Sequence, residues 1–200
     1  SLQRQFTRGL LFQANYMWSH GITDASIGSG ESVAIQNMSC RACDRSRTNI
    51  DVRHNITING VYELPFGQGK HLLSGSGMAS RILGGWELAG IASARTGLPV
   101  NITMTRKASA LPDGNASRQR PNYVPGQPIY AANRTSANWF NPAAFAAPAN
   151  GTWGNLGRYA ANGPGKYEID SSLQKRFRIT ERLGLNLRAA AFNVLNHPQF

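Results

Sequence analysis

Apolar and polar side chains alternate along "RGLLFQANYMWSHGITD", Arg8 to Asp24: Leu10, Phe12, Ala14, Tyr16 and Trp18 stand against Gln13, Asn15 and Ser19. A period of two marks an extended strand with two unlike faces. Four more segments repeat it, so strands are expected over about 8–20, 51–64, 85–97, 166–177 and 182–195. In the second, Val52, Ile56, Ile58, Gly60, Tyr62 and Leu64 oppose Arg53, Asn55, Thr57, Asn59 and Glu63, and Val61 is out of step. In the third, Trp86, Leu88, Gly90, Ala92 and Ala94 oppose Glu87, Ala89, Ile91, Ser93 and Arg95. The last two strands are separated only by a short stretch around "RITE" and make a hairpin.

The connections are unequal. Residues 21–50 and 98–165 are long, rich in Gly, Pro, Asn, Ser and Ala, and carry no clear period, whereas 178–181 is a tight turn. Long irregular loops are uncommon in compact soluble domains. Outer-membrane barrels instead alternate long outer loops with short periplasmic turns. If the first strand rises outward, the long connections follow strands one and three and the tight turn follows strand four, as a barrel wall requires. Pro65–Gly84 is the exception, long where a short turn is expected. It carries Leu72, Leu73, Met78, Ile82 and Leu83 and is expected to pack under the barrel mouth.

The aromatics sort by height along these strands. Tyr16, Trp18 and Tyr167 fall at one rim and Tyr62, Trp86 and Phe177 at the other. Ala14, Ile58, Gly60, Leu88, Gly90, Leu173 and Leu187 lie between. Membrane barrels place aromatic girdles at both interfaces, while a soluble sandwich keeps its aromatics in mid-core. Lys175 is the one charge on the expected lipid face, near the inner rim, where a charge costs about 0–1 kcal/mol. The expected fold is all-β: antiparallel up-and-down strands forming part of a transmembrane β-barrel, with long outer loops.

Composition changes this picture little. No apolar run reaches the roughly 18 residues of a membrane helix, which leaves a barrel untouched. The net charge is +11, from 17 Arg and 4 Lys against 10 acids, a balance that invites a polyanion. The longest basic run is only "KRFR", Lys175 to Arg178, and no nucleic-acid-binding motif accompanies it, so no nucleic acid is expected as partner. Cys40 and Cys43 form one Cys-x-x-Cys in "SCRACDRSR". A closed zinc site needs two more ligands, and neither His20 nor His54 has the spacing; a thioredoxin-like role needs a βαβ setting. A local disulfide or two free thiols in a loop is expected. Glycosylation sequons begin at Asn37, Asn55, Asn101, Asn115, Asn133 and Asn150, as chance provides in a chain rich in Asn, Ser and Thr.

"NYMWSHGITD", "DVRHNITINGVYELPFG", "ILGGWELAGIASARTGLPVNIT", "RPNYV", "WFNPAAFAAPANGTWGNLGR", "GPGKYEIDSSLQKRF" and "RAAAFNVLNHPQF" closely resemble the carboxy-terminal barrel region of Oar-like TonB-dependent outer-membrane receptors, nearly end to end. The resemblance implies a barrel of about 22 strands with an internal plug. It further implies the outer membrane of a Gram-negative bacterium, energy supplied through a TonB box, and a bulky imported ligand. The implied partners are outer-membrane lipid, the TonB complex and an unidentified extracellular ligand. Five strands fall short of the roughly 8 of the smallest membrane barrels, so a fragment is expected, with plug, TonB box and final strand outside residues 1–200. Phe200, in "NHPQF", is placed by the resemblance at the start of an outer loop and not as a terminal assembly aromatic. The Cys-x-x-Cys is not part of the resemblance.

The function expected is therefore that of a transport receptor. Its polar faces carry Arg53, Arg95, Arg176 and Arg188, which either favour anionic ligands or pair with carboxylates of the plug. Ligand contact is expected in the loop Gly97–Gly165, where Trp139, Phe140, Phe145 and Trp153 either stack on a ligand or fold the loop onto itself. No substrate-binding residue can be named. The alternative is a secreted β-sandwich adhesin or carbohydrate-binding module with its apolar face inward. No enzyme is expected: there is no Gly-x-Ser-x-Gly, His-Glu-x-x-His or phosphate loop. Asp24, Asp44, Asp51 and Asp170 have no spacing that picks out a carboxylate pair. No catalytic, cofactor-binding or metal-ligating residue is expected.

Overall fold

The computed structural model describes residues 1–7, 9–24, 35–37, 39–67, 69–75, 77–113, 119–180 and 182–197; Asn115 and Phe200 lie outside the described residues. The chain divides into two units, one of residues 1–17, 54–95 and 166–199, the other chiefly of 18–53 and 96–165.

The first unit is one six-stranded antiparallel sheet whose strands are neighbours in sequence order: β1 (Leu2–Thr7), β2 (Leu10–Trp18), β3 (His54–Glu63), β4 (Trp86–Arg95), β5 (Lys166–Arg178) and β6 (Gly184–Ala191). Its register collects the apolar sets on one face. Ile58 lies opposite Ala92 and Tyr62 opposite Leu88; Ala92 and Leu88 lie opposite Ile169 and Leu173; Leu173 lies opposite Ala189. A slip of one residue would turn every one of these to the other face, so the pattern specifies the pairing strongly.

Two findings differ from the expectation. β1 is a sixth strand that the alternation does not announce, because Arg4 interrupts the apolar parity of Leu2 and Phe6 and the pairing with β2 shifts between Arg4 and Thr7. The strand expected from residue 51 starts only at His54, since Asp51 and Arg53 belong to the second unit, where they are paired with each other.

The apolar face of the sheet is uncovered: Ile58, Leu88 and Leu187 are each about 45% exposed, at 45%, 44% and 44%. Among the described residues the buried hydrophobics (Leu111, Ala144, Leu156, Tyr159 and Ala161) all belong to the second unit. A sandwich would cover the apolar face with a second sheet. Among the described residues it is a single layer.

The connection after β3 is folded. Helix α1 (Met78–Leu83) ends at Gly84, which passes so close to Gly67 that a Cβ there would lie 2.5 Å from the Gly67 Cα. Only glycine fits this crossing. The second unit carries short ladders, Ile22–Thr23 with Ser46–Arg47, Pro99–Val100 with Ala161–Asn162, and Asn122–Tyr123 with Phe145–Ala146. The long connections are thus folded loops with a polar interior, in which Gln36, Asp44, Arg106, Gln119, Arg120 and Arg158 are buried.

Candidate functional site

The polar face of the sheet is banded. At one end Arg95 lies opposite both Asn55 and Lys166. At the other, Glu63 lies opposite Glu87, a like-charge pair that would repel. Each has its own partner: Lys70 Nζ donates to Glu63 Oε2 at 2.5 Å, and Gln174 Nε2 to Glu87 Oε2 at 2.8 Å. Between these ends lies a groove of about 370 Å³ bordered by Leu11, Val61, Ala89, Ile91, Asp170 and Arg188. Val61, out of step in its strand, lies opposite Ala89; Ile91 lies opposite Asn59 and Asp170. The single-strand pattern gives no sign of this apolar patch, which forms only when three strands are laid side by side. Asp170 Oδ1 accepts from the Asn193 amide at 2.8 Å, fixing the chain just past β6.

Arg95, Arg176 and Arg188 stand on this face, but Arg53 does not belong to it. It lies in the second unit, 3.6 Å from Asp51 and 2.9 Å from His20 Nδ1, with its guanidinium over the Trp18 ring. Asp51 also accepts from the Gly21 amide at 3.0 Å and contacts His20 at 3.3 Å. Burial pushes the Asp51 carboxyl up, but the Gly21 amide, His20 and Arg53 outweigh it and hold it below the usual carboxylate value. The Asp24 carboxyl is likewise held low by its hydrogen bond from Arg41.

Asp44 is the buried centre of the second unit. Its carboxylate accepts from Arg120 Nη1 at 2.5 Å and from the Gln36 amide at 3.2 Å. It closes the 3-10 turn Arg41–Asp44, whose ends are tied by a Cys40–Cys43 disulfide with Cα atoms 5.4 Å apart. The two cysteines are therefore neither free nor available as ligands. The loop aromatics are tied inward: Trp139 Nε1 donates to Asn162 O at 2.8 Å, Phe140 stacks on Tyr130, and Phe145 pairs with Tyr123. Trp153 is half-buried.

Which solvent meets each face of the sheet is decided by kinship. An outer membrane beta barrel domain family matches residues 1–200. The chain belongs to this family. No curated protein and no solved structure matches it. In an outer-membrane β-barrel the uncovered apolar face meets lipid and the banded polar face lines the lumen. The long connections then leave the outer rim, and the turn at Gly9, the turn closed by Ile179 and Leu183 and the α1 segment the periplasmic rim. The aromatic girdles follow: Tyr16, whose hydroxyl contacts His54 Nδ1 at 2.9 Å, with Tyr167 at the outer rim, and Tyr62, Trp86 and Phe177 at the inner. Lys175 differs from expectation. It has lipid-face parity, opposite Trp86, yet is only 4% exposed because the end of α1 covers it.

Proposed function

We propose that the chain is part of the barrel of a TonB-dependent receptor of the Oar-like type, which takes up a bulky ligand across the outer membrane of a Gram-negative bacterium. The observation that carries this reading is the apolar patch of Leu11, Val61, Ala89 and Ile91 in the middle of the lumen wall. A water-filled pore leaves such a patch wet, whereas a plugged barrel covers it with protein. The resemblance of the strand and loop strings to Oar-like receptors supports the same reading, as do long connections that fold around buried arginines. In this reading the chain contributes wall and ligand-facing loops and catalyses no reaction. Energy comes from the inner-membrane TonB complex through segments outside this chain.

Single-channel recording on the parent protein in planar bilayers tests it. The native barrel is expected to be closed to ions and to conduct only after mild denaturant loosens its plug. A wide channel, steadily open in native protein, overturns the reading.

A further inference from the structure

At the periplasmic rim a cavity of about 690 Å³ is bordered by Lys70, Ser80, Arg81, Lys175, Arg176 and Arg178. Residues from both faces of β5 reach it, because the strand ends here. Lys70 is paired with Glu63. Arg81, Arg176 and Arg178 are exposed and have no hydrogen bond or ion pair from their guanidinium groups among the described residues. Lys175 is buried, and its ammonium donates to Arg81 O at 2.5 Å and Ile82 O at 2.8 Å, over the Phe177 ring at 4.5 Å and the Trp86 ring at 5.8 Å. These contacts cap the carbonyl end of α1. They bring no negative charge, and a buried cation ordinarily has one close by.

The same connection carries apolar surface that the protein leaves bare. Met78 and Ile82, one turn apart on α1, are 77% and 55% exposed, and Leu83, Leu72 and Leu73 are 51%, 51% and 43% exposed. Ile82 is held to the lipid side of the wall, since its carbonyl accepts from Trp86 Nε1 at 3.1 Å as well as from Lys175. A bare apolar stripe beside cations without an ion pair among the described residues, continuous with the aromatic girdle, is the composition of an element lying in a membrane interface. Charge complementarity then selects the occupant. Guanidinium forks match phosphate oxygens, and the apolar stripe matches acyl chains.

We propose that this cavity holds the phosphate of an anionic phospholipid from the periplasmic leaflet, with α1 lying in the interface beside it. The inference rests on membership of the membrane-barrel family and not on TonB dependence, so it stands or falls separately from the proposed transport role. The test is native mass spectrometry of the purified parent barrel, titrated with dioctanoyl phosphatidylglycerol, dioctanoyl phosphatidylcholine or inorganic phosphate. Phosphatidylglycerol is expected to be retained over the other two. In a Arg81→Gln, Arg178→Gln double variant retention falls about tenfold or more, the scale of a lost charge-assisted hydrogen bond, and the Arg81→Lys, Arg178→Lys counterpart recovers part of it. Heat-modifiable migration on gels selects preparations that are folded. An Ile82→Ser, Leu83→Ser variant, with every cation kept, reads the acyl contribution and is expected to lose the preference over inorganic phosphate. Equal retention of phosphatidylcholine, inorganic phosphate competing as well as the lipid, or a folded glutamine variant that keeps its phosphatidylglycerol each overturns the proposal.

Discussion

Arg47, Arg106, Arg120 and Arg158 hold the long loops together by donating to carbonyls and side chains far away in sequence. Arg106 alone reaches the carbonyls of Thr152, Ala110, Pro148 and Ala149, at 2.9 to 3.1 Å. Arg47 donates to Tyr159 O and Asn162 Oδ1, and Arg158 to Thr23 O and Ser46 Oγ. Irregular backbone has few internal partners for its carbonyls, and a planar guanidinium with five N–H groups supplies several at once. Part of the +11 charge is therefore loop construction. Asp44→Ala would leave Arg120 charged, buried and unpaired, at a cost of about 3–5 kcal/mol. Limited proteolysis of the parent protein should show cleavage in the two long loops with the wall intact. Asp51 carries a pH dependence. Its folded value is lowered, so its stabilisation is full above the ordinary carboxylate value of 3.8 and fades as pH falls through the lowered one. Protease sensitivity of these loops is expected to rise below about pH 4, and Asp51→Asn should remove that component.

Among elements, β5 and β6 show how strictly parity separates two environments. Ala189 lies opposite Leu173 on the lipid face, and its neighbour Arg188 lies opposite Gln174 on the lumen face. An arginine at the lipid midplane costs about 2–4 kcal/mol, whereas the lumen accepts it. In the parent barrel, Ala189→Arg should lower the urea midpoint of folding into vesicles, while Arg188→Leu should change it little. Equal effects would mean that the faces are assigned wrongly. The α1 connection obeys a different rule, set by backbone. Gly84 and Gly67 meet at van der Waals contact, and Lys175 neutralises the carbonyl end that follows. An aliphatic replacement at Lys175 would strand those carbonyls beside the membrane.

For the whole molecule, the proposed function makes the lumen patch the contact between the wall and a plug. Val61→Asp places a carboxylate beside Ala89 and Ile91, where a covering plug would have to desolvate it. On the proposed function this variant leaks, and bilayer conductance rises above that of the native parent protein. Unchanged conductance would separate the patch from the plug. The open edges at β1 and β6 belong to the same scale. Each has a partner on one side only among the described residues, and a barrel needs about 8 strands or more to close.

Alternation of side chains is a property of the extended chain itself, so parity alone separated an apolar face from a polar one, and position along each strand placed the aromatics at its ends. The unequal connections followed from composition, because stretches rich in Gly, Pro and Asn support neither period. Parity failed where a charge stood in the apolar set. Arg4 concealed β1, and Lys175 read as a tolerated charge in lipid when α1 in fact covers it. Nothing in "SCRACDRSR" names Arg120, 76 residues beyond Asp44, as the partner of its aspartate. Such pairs, the lumen patch and the cationic cavity join segments distant in sequence, and only the fold brings them within reach. Local pattern is written by neighbours along the chain. Which buried charge meets which, and which apolar side chains share a groove, is written by strand order and loop closure.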